Sequence, residues 1–272
     1  EGINGVSFSD IEMNANLSLT DGISTDDIHK ILIKSANDLI STTAPNYQYV
    51  AARLLNMQLR KEVWGYGDQP TDFLLFLERN VDNAVYDPTI LEKWDAENIE
   101  LLGKYINHGR DDLFTYAGLQ QMIDKYLVKN RSTGRIYETP QFAYMCIAMC
   151  LFDNIAEVKK AYDCYSTFKI NLPTPIMAGV RTNIRQFSSC VLVDVDDNLD
   201  GIFSSIHAVG KYTARRAGIG LNIGRMRPMN SPIRGGEVIH TGLIPYLKNF
   251  ESAVKSTSQN GLRGGSATVH VP

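Results

Sequence analysis

The sequence predicts an α/β protein in which an all-helical region precedes a segment of alternating strands and helices. Up to about residue 168, apolar residues recur at three- and four-residue steps, without convincing two-residue alternation. After residue 190, short apolar runs alternate with amphipathic stretches, a pattern typical of parallel strands joined by right-handed crossovers. The 272 residues suffice for two modest domains or one large one.

The first predicted helices have clear start and stop signals. Residues 24–41 carry an apolar face, and Ser24 followed by Asp27 three residues later resembles a capping box. A second helix is expected over 47–64, before a break at 65–70. Further helices are predicted by the same periodicity over residues 71–79, 95–106, 111–127, 140–152 and 155–168.

The C-terminal third has a different pattern. Residues 190–195 form a short apolar run suited to a buried strand, and 199–215 are amphipathic with helical spacing. A second strand is expected over 219–223, a helix over 241–256 and a third strand over 266–271. This order predicts parallel pairing of the three strands.

Composition and charge exclude several classes of protein. A net charge of −3 gives no reason to expect nucleic-acid binding. The longest apolar run, residues 142–152, is too short for a bilayer and predicts a buried helix. The four cysteines contain no CxxC pair, which fits a reducing cytoplasm, as does the lack of a visible secretory signal. Cys146 and Cys150 are predicted to be packing residues, and no metal site is expected.

Several residues in the C-terminal third have both a structural and a chemical interpretation. Cys190 follows two serines at a strand start, an accessible place for a thiol, although lone cysteines are more often packing residues. On the residues alone, Thr174, Ser189 and Gly218 are interpreted as a turn, a strand start and a strand glycine. Residues 217–224 (AGIGLNIG) lack the strand–loop–helix context of a dinucleotide fingerprint.

The segments around these residues also have ordinary interpretations. Asp197 or Asn198 is a good N-cap for the helix that Leu199 begins. Arg227 and Arg234 are expected to be solvated arginines, and 258–266 a flexible glycine-rich connection.

The motifs TPIM, RQFSSC, RAGIG and SPIRGGE, in this order, resemble the large subunit of class I ribonucleotide reductase, of bacteriophage or bacterial type. The resemblance runs over essentially all residues and covers the N-terminal part of that subunit. It implies that the strands after Cys190 begin a ten-stranded α/β barrel, incomplete here. The implied domains are a partial ATP-cone-like module (1–65), a helical domain (66–171) and the start of the barrel (172–272).

The resemblance also implies roles for individual residues. Cys190 would be a redox-active cysteine that forms a disulfide with a second cysteine, which none of Cys146, Cys150 and Cys164 matches in context. Substrate contacts would come from Thr174, Ser189, Cys190 and Gly218. The implied allosteric specificity site comprises Asp197, Asn198, Leu199, Arg227 and Arg234, and Gln259 and Arg263 would relay effector identity to the substrate.

At the N-terminus the resemblance is partial. Thr25, His29 and Lys61 match an ATP-binding regulatory module, but Gln58 stands where the family usually has His, and the family's preceding basic hairpin is not found. We therefore expect a remnant without reliable ATP or dATP control.

The implied activity is reduction of ribonucleoside diphosphates, under nucleoside triphosphate effectors, for DNA replication. The expected partners are the remainder of the large subunit, in the same or a separate chain, a second large subunit, a small radical-generating subunit with a di-iron cofactor, and thioredoxin or glutaredoxin. This chain alone is expected to be inactive and to bind no cofactor directly; its expected location is the cytoplasm, of the host if phage-encoded. The alternative is a non-catalytic nucleotide-binding module with a regulatory or assembly role.

Overall fold

The computed structural model describes residues 2–16, 18–65, 69–130, 132–257 and 265–271, in two compact units, Glu1–Asn183 and Ile184–Pro272. The first unit is mainly helical, and a large apolar core joins most of its helices. Its helices are α1 (Phe8–Asn16), α2 (Thr25–Asp38), α3 (Tyr47–Trp64), α4 (Phe73–Asp82), α5 (Thr89–Lys93), α6 (Ala96–Tyr105), α7 (Tyr116–Gln121), α8 (Pro140–Leu151), α9 (Ile155–Ser166) and α10 (Thr174–Gly179).

The predicted capping of α2 is confirmed. The Ser24 hydroxyl accepts a hydrogen bond from the Asp27 backbone N–H at 3.1 Å and donates to the Asp27 carboxylate at 2.8 Å. Such a cap satisfies an amide that has no partner within the helix. The predicted span of α3 is also confirmed.

The prediction of one helix over 111–127 is wrong. Residues His108–Leu113 form a 3-10 helix, α7 begins anew after Thr115, and Met122–Tyr126 form a π-helical turn. Thr115 caps α7 by accepting from the Gly118 N–H at 3.2 Å. The region is also not purely helical, because Lys129 and Ile136 form an antiparallel bridge.

Helix α8 lies at the centre of the first unit, as its uniform apolarity predicts. Every residue from Pro140 to Met149 is buried, and the Phe142 ring lies 4.3 Å from that of Phe76. A helix that is apolar on all sides has no face to expose to water, so it must be surrounded by other elements. Cys146 is buried there and Cys150 half-buried, in keeping with packing roles.

The second unit is a small parallel sheet with helices against one of its faces. Strands β1 (Cys190–Asp194), β2 (Gly218–Asn222) and β5 (Ala267–His270) pair in the order β1-β2-β5, which confirms the parallel prediction. Helices α11 (Leu199–Ala214) and α12 (Ile244–Thr257) bury Ile202, Val209, Phe250 and Val254 in the same core as the strand residues Ile219 and Leu221. A two-stranded antiparallel hairpin, β3 (Pro232–Ile233) and β4 (Val238–Ile239), precedes α12.

The three expected domains remain a prediction. The residues directly after residue 172 still pack with the helical unit. Met177 of α10 and Val180 are buried in the core of the first unit. The TPIM segment therefore packs with the helical part of the molecule. Within the described residues, no helix has the length and apolarity needed to cross a membrane.

Candidate functional site

Cys190 lies at the amino end of β1, on the face of the sheet opposite the helices. Along β1, exposed and half-buried residues alternate, and Val191 and Val193 pack toward the core while Cys190 is exposed. Its register partner on β2 is Gly218, whose N–H donates to the Ser189 carbonyl at 2.8 Å. The Ser189 hydroxyl is 3.8 Å from the Cys190 sulfur, a weak hydrogen bond. The thiol is thus accessible, and the neighbouring strand places no side chain beside it.

A second glycine on the same face has a steric reason. A Cβ at Gly220 would lie 2.5 Å from Cδ2 of Leu192, closer than real Cβ contacts allow. Leu192 is 85% exposed and pairs in register with Gly220. Because β2 has glycine at this position, the Leu192 side chain can lie across it. No side chain of β2 therefore projects from this face at Gly218 or Gly220.

The residues proposed for an allosteric site gather at the other end of these strands. Asn198 caps α11 by accepting from the Gly201 N–H at 2.8 Å, which confirms the N-cap prediction. The Asp197 carboxylate accepts from the Arg227 N–H at 3.1 Å and from its Nε at 2.7 Å. Leu199 begins the helix and is 58% exposed. Asp197 and Arg227 therefore join the start of α11 to the loop after β2.

A neighbouring arginine forms further ion pairs at this end of the strands, and sequence reasoning missed it. Arg225 lies 2.7 Å from the Asp194 carboxylate and 3.3 Å from that of Asp196. Asn222 also donates to Asp194 at 2.8 Å. The signal was present as a carboxylate-rich VDVDD run and a GRMR run, each directly following a strand, and the carboxyl ends of parallel strands lie at one edge.

Other predicted residues of the specificity site are placed differently. Arg234 is exposed, at a left-handed φ of 51° between β3 and β4, and no hydrogen bond joins it to Asp197 in the described part of the chain. Gln259 and Arg263 lie outside the described residues. Thr174 is half-buried at the first residue of α10 and belongs to the first unit, whereas Ser189, Cys190 and Gly218 belong to the second.

Thr25, His29 and Lys61 lie on the packed helices α2 and α3. Two of them, His29 and Lys61, have polar partners within the protein. The Lys61 ammonium lies 2.6 Å from the Asp26 carboxylate, and its hydrogen bond holds the pKa of Asp26 below the usual value. His29 Nε2 lies 2.7 Å from the Leu54 carbonyl oxygen. Thr25 is exposed at the start of α2. A phosphate at this place would compete with Asp26 for the same ammonium.

A fully buried ion pair in the first unit also escaped sequence reasoning. Arg181 and Glu138 are both 0% exposed and hydrogen-bonded to each other, with Nε of Arg181 at 2.8 Å from a Glu138 oxygen. Arg181 donates further to the Met177 carbonyl at 2.6 Å, and the Tyr86 hydroxyl donates to Glu138. The pair fixes the chain just after α10. No cluster of three or more metal-ligating side chains occurs among the residues that the structure describes.

Comparison with known proteins gives two family matches. Residues 112–185 match the model described as "Ribonucleotide reductase, all-alpha domain", and residues 188–272 match "Ribonucleotide reductase, barrel domain". The boundary between the matches agrees with that between the compact units.

Curated relatives align over nearly the whole chain. Ribonucleoside-diphosphate reductase 1 subunit alpha of Escherichia coli K12 is 49% identical over 100% of this chain and 36% of its own length. The subunit alpha of Enterobacteria phage T4 is 48% identical over 98% of this chain and 36% of its length. That of Haemophilus influenzae is 48% identical over 100% of this chain and 37% of its length. The chain spans about a third of the length of these relatives.

Proposed function

Because this chain belongs to the ribonucleotide reductase family, we propose that it supplies part of a large subunit that reduces ribonucleoside diphosphates to deoxyribonucleoside diphosphates. The observation that supports a catalytic role most directly is the accessible Cys190 thiol beside Gly218, on the open face of the sheet. An enzyme that reduces a bound nucleotide needs a thiol that the sugar can approach closely, and glycine permits that approach.

Electron balance defines what Cys190 must do. Replacing the 2′ C–O bond by C–H releases water and takes two electrons, which two thiols supply by forming one disulfide. Cys190 is proposed as one of the two. Cys146 is enclosed in the core of the first unit, where burial raises its pKa and disfavours the reactive thiolate. The family resemblance implies that the second thiol lies in the remainder of the subunit, since none of Cys146, Cys150 and Cys164 matches its context, and that the small subunit provides the radical.

The test is a serine substitution in the complete subunit, assembled with its radical-generating partner. Cys190→Ser should abolish multiple turnover with a dithiol reductant, since no disulfide can form, while effector binding is retained. Cys164→Ser is the matched control, a half-buried thiol in the first unit, and should keep turnover. Normal multiple turnover by the Cys190→Ser enzyme would disprove the assignment.

We further propose that the junction of Asp197 and Arg227 binds the effector nucleotide, with Asn198, Leu199 and Arg234. The start of α11 presents backbone N–H groups and a partial positive charge, which favour a phosphate or a polar ligand edge. Arginines can bind a triphosphate through charge-assisted hydrogen bonds. Leu199 adds an exposed apolar surface beside these polar groups.

Two classes of variant separate the binding of the effector from its influence on substrate choice. Asp197→Ala or Arg227→Ala should weaken effector affinity. Gln259→Ala or Arg263→Ala should leave affinity intact but uncouple it from substrate choice, because a ligand shifts an equilibrium only by binding its states differently. Effector affinity and turnover of all four diphosphates are measured in the assembled enzyme. Full effector-dependent preference in Arg263→Ala would contradict the relay role.

The N-terminal helices are proposed to have no functional ATP or dATP site. Lys61 is paired with Asp26 and His29 with the Leu54 carbonyl, so two of the three matching side chains have protein partners. Titration calorimetry with dATP should show no saturable binding at these residues. A tight dATP site that disappears in Lys61→Ala would contradict this proposal.

A regulatory or assembly module without catalysis is the alternative. It is favoured by the grouping of four proposed effector residues within this segment. Native mass spectrometry of the purified complex distinguishes the two. A complex that contains the rest of a reductase large subunit and the small subunit supports the catalytic role, and an assembly without them supports the alternative. A second large subunit and thioredoxin or glutaredoxin are the further partners proposed.

A further inference from the structure

The guanidinium of Arg225, in the loop after β2, bridges two carboxylates of the segment that leaves β1. Its Nη2 lies 2.7 Å from the Asp194 carboxylate, and its Nη1 lies 3.3 Å from that of Asp196. Arg227, two residues further along the same loop, pairs with Asp197 at 2.7 Å. Two arginines of one loop therefore pair with three carboxylates that lie within four residues of the sequence.

The turn that carries these carboxylates lies directly against the start of α11. Val195 is fully buried, and its N–H donates to the Asn222 carbonyl at 2.9 Å, which fixes the backbone between the exposed aspartates. A Cβ at Gly201 would lie 2.8 Å from the Cβ of Asp196, so Asp196 packs against the first turn of the helix. Asp196 therefore lies at the helix end that is proposed to receive the phosphates of the effector.

The three side chains of this bridge are accessible to solvent. The exposed fraction of the side chain is 61% for Arg225, 45% for Asp194 and 61% for Asp196. Exposed ion pairs contribute little to folding stability, so the second unit should stay folded when Arg225 is replaced. A triphosphate, in contrast, carries several negative charges and is repelled by any uncompensated carboxylate within about 10 Å at 0.1 M ionic strength.

We propose that Arg225 is a positioning residue of the effector site, which neutralises Asp194 and Asp196 so that the phosphates can approach the start of α11 and Arg227. Without Arg225, the turn would present two uncompensated carboxylates beside a phosphate site, and like charges repel. The inference rests on the proposed binding of the effector at Asp197 and Arg227. It adds a residue outside the set that the family resemblance implies.

The test is titration of the complete large subunit with dTTP. A thymidine nucleotide is the probe because the N-terminal helices resemble a module for ATP and dATP. Arg225→Gln should weaken dTTP binding about three- to tenfold, the effect expected for two exposed carboxylates that lose their partner. Arg225→Lys keeps the positive charge and should retain most of the affinity. The loss in Arg225→Gln should shrink at about 1 M salt, where the Debye length is about 3 Å.

A rescue variant distinguishes this role from direct contact with the phosphates. Adding Asp194→Asn and Asp196→Asn to Arg225→Gln removes the charges that need a partner, so affinity should return to within about twofold of the wild type. An arginine that binds the phosphates itself could not be replaced in this way. The Asn222 amide can still donate to the carbonyl oxygen of an asparagine at position 194, as it does to the carboxylate.

The matched control is Lys255→Met, which removes the same charge from an exposed helical pair with Glu251, 2.6 Å apart in the same unit, and should leave dTTP affinity unchanged. Circular dichroism checks that each variant is folded. The proposal is overturned if Arg225→Gln binds dTTP as tightly as the wild type, if it does not fold, or if the two asparagines do not restore its affinity.

Asp197→Ala and Arg227→Ala, measured in the same series, test the site itself. If both bound dTTP like the wild type, the proposed effector site would be wrong, and the role of Arg225 with it. A loss of affinity in these two variants and none in Arg225→Gln would overturn the role of Arg225 alone.

Discussion

Breaking the buried pair of Arg181 and Glu138 should destabilise the first unit more than any surface change. Both side chains are 0% exposed. The Glu138 carboxylate also accepts from the Val128 N–H at 2.6 Å and from Tyr86, while Arg181 donates to the carbonyls of Met177 and Tyr126. Glu138→Gln removes the only charge that the structure places against the guanidinium in this cluster of described residues. An uncompensated buried charge costs about 3–5 kcal/mol.

Tryptophan fluorescence isolates this effect from the second unit. The only two tryptophans of the sequence, Trp64 and Trp94, both lie in the first unit. With a urea m-value of about 1–3 kcal/mol/M, a loss of about 3–5 kcal/mol lowers the unfolding midpoint by about 1 M or more. The midpoint and the m-value are both fitted, since a changed m-value would indicate a change in two-state behaviour.

Two further variants make the measurement interpretable. Lys104→Met removes an exposed helical pair with Glu100, 3.9 Å apart, and should change the free energy of unfolding by at most about 0.5 kcal/mol. The double variant Arg181→Met with Glu138→Leu removes both charges but leaves the Val128 N–H and the Tyr86 hydroxyl without an acceptor, so it should recover only the part of the loss that the unpaired charge causes. If Glu138→Gln lost less than about 1 kcal/mol, the pair would not behave as a desolvated charge pair and the reasoning would be refuted.

The remaining predictions concern two buried titratable groups and a helix cap. Burial raises the pKa of Asp111 from 3.8 to about 6, so the folded state holds its proton more firmly and this residue lowers stability as pH rises from about 4 to 6. Burial lowers the pKa of His108 from 6.5 to about 4, so the unfolded state binds more protons and this residue raises stability over about the same window. In urea midpoints followed across this window, the stability of Asp111→Asn should rise more steeply with pH than that of the wild type, and that of His108→Gln less steeply; equal slopes in the two variants would contradict the assignment. Asn198→Ala should cost the second unit about 1 kcal/mol by removing the cap on Gly201, measured as loss of helical circular dichroism on urea titration, with no change in the tryptophan transition.

The long elements could be predicted because their signals are local. The apolar period and the Ser24 cap predict α2 and α3 from residues within a few turns of each other. Helices α1, α5 and α10 are too short for such a period and depend on tertiary contacts, as the buried Met177 of α10 illustrates. Residues 111–127 keep an apolar period through a 3-10, an α and a π segment, so periodicity alone could not detect the breaks.

Pairings between distant residues could not be predicted. Glu138 and Arg181 are 43 residues apart, and nothing in the sequence near either one indicates that it is buried. The cap by Asn198 was predictable since its partner Gly201 is three residues away, whereas Arg227 and Asp197 are 30 residues apart. The redox role proposed for Cys190 rests on the family resemblance, because the residues around it are equally compatible with a packing role.

The sheet of the second unit limits how an effector could influence the substrate. Strand β1 runs from Cys190 to Asp194, about 13 Å at about 3.3 Å per residue, and the turn with Asp197 follows directly. Strand β2 runs alongside it from Gly218 to Asn222, just before Arg225 and Arg227. The hydrogen-bonded ladder holds the two strands in register, so a nucleotide at Asp197 and Arg227 cannot slide one strand past the other without breaking it.

A signal between the two ends of the sheet therefore requires an element outside the β1–β2 ladder that has two arrangements. The segment between α12 and β5 is suitably connected, because β5 pairs with β2 and the Ile219 N–H donates to the Ser266 carbonyl at 3.0 Å. That segment contains Gln259 and Arg263, which lie outside the residues that the structure describes. An effector can act through such an element only by binding its two arrangements with different affinity. A relay by Gln259 and Arg263 is a proposal that rests on the family resemblance, and it is compatible with a sheet whose strands stay in register.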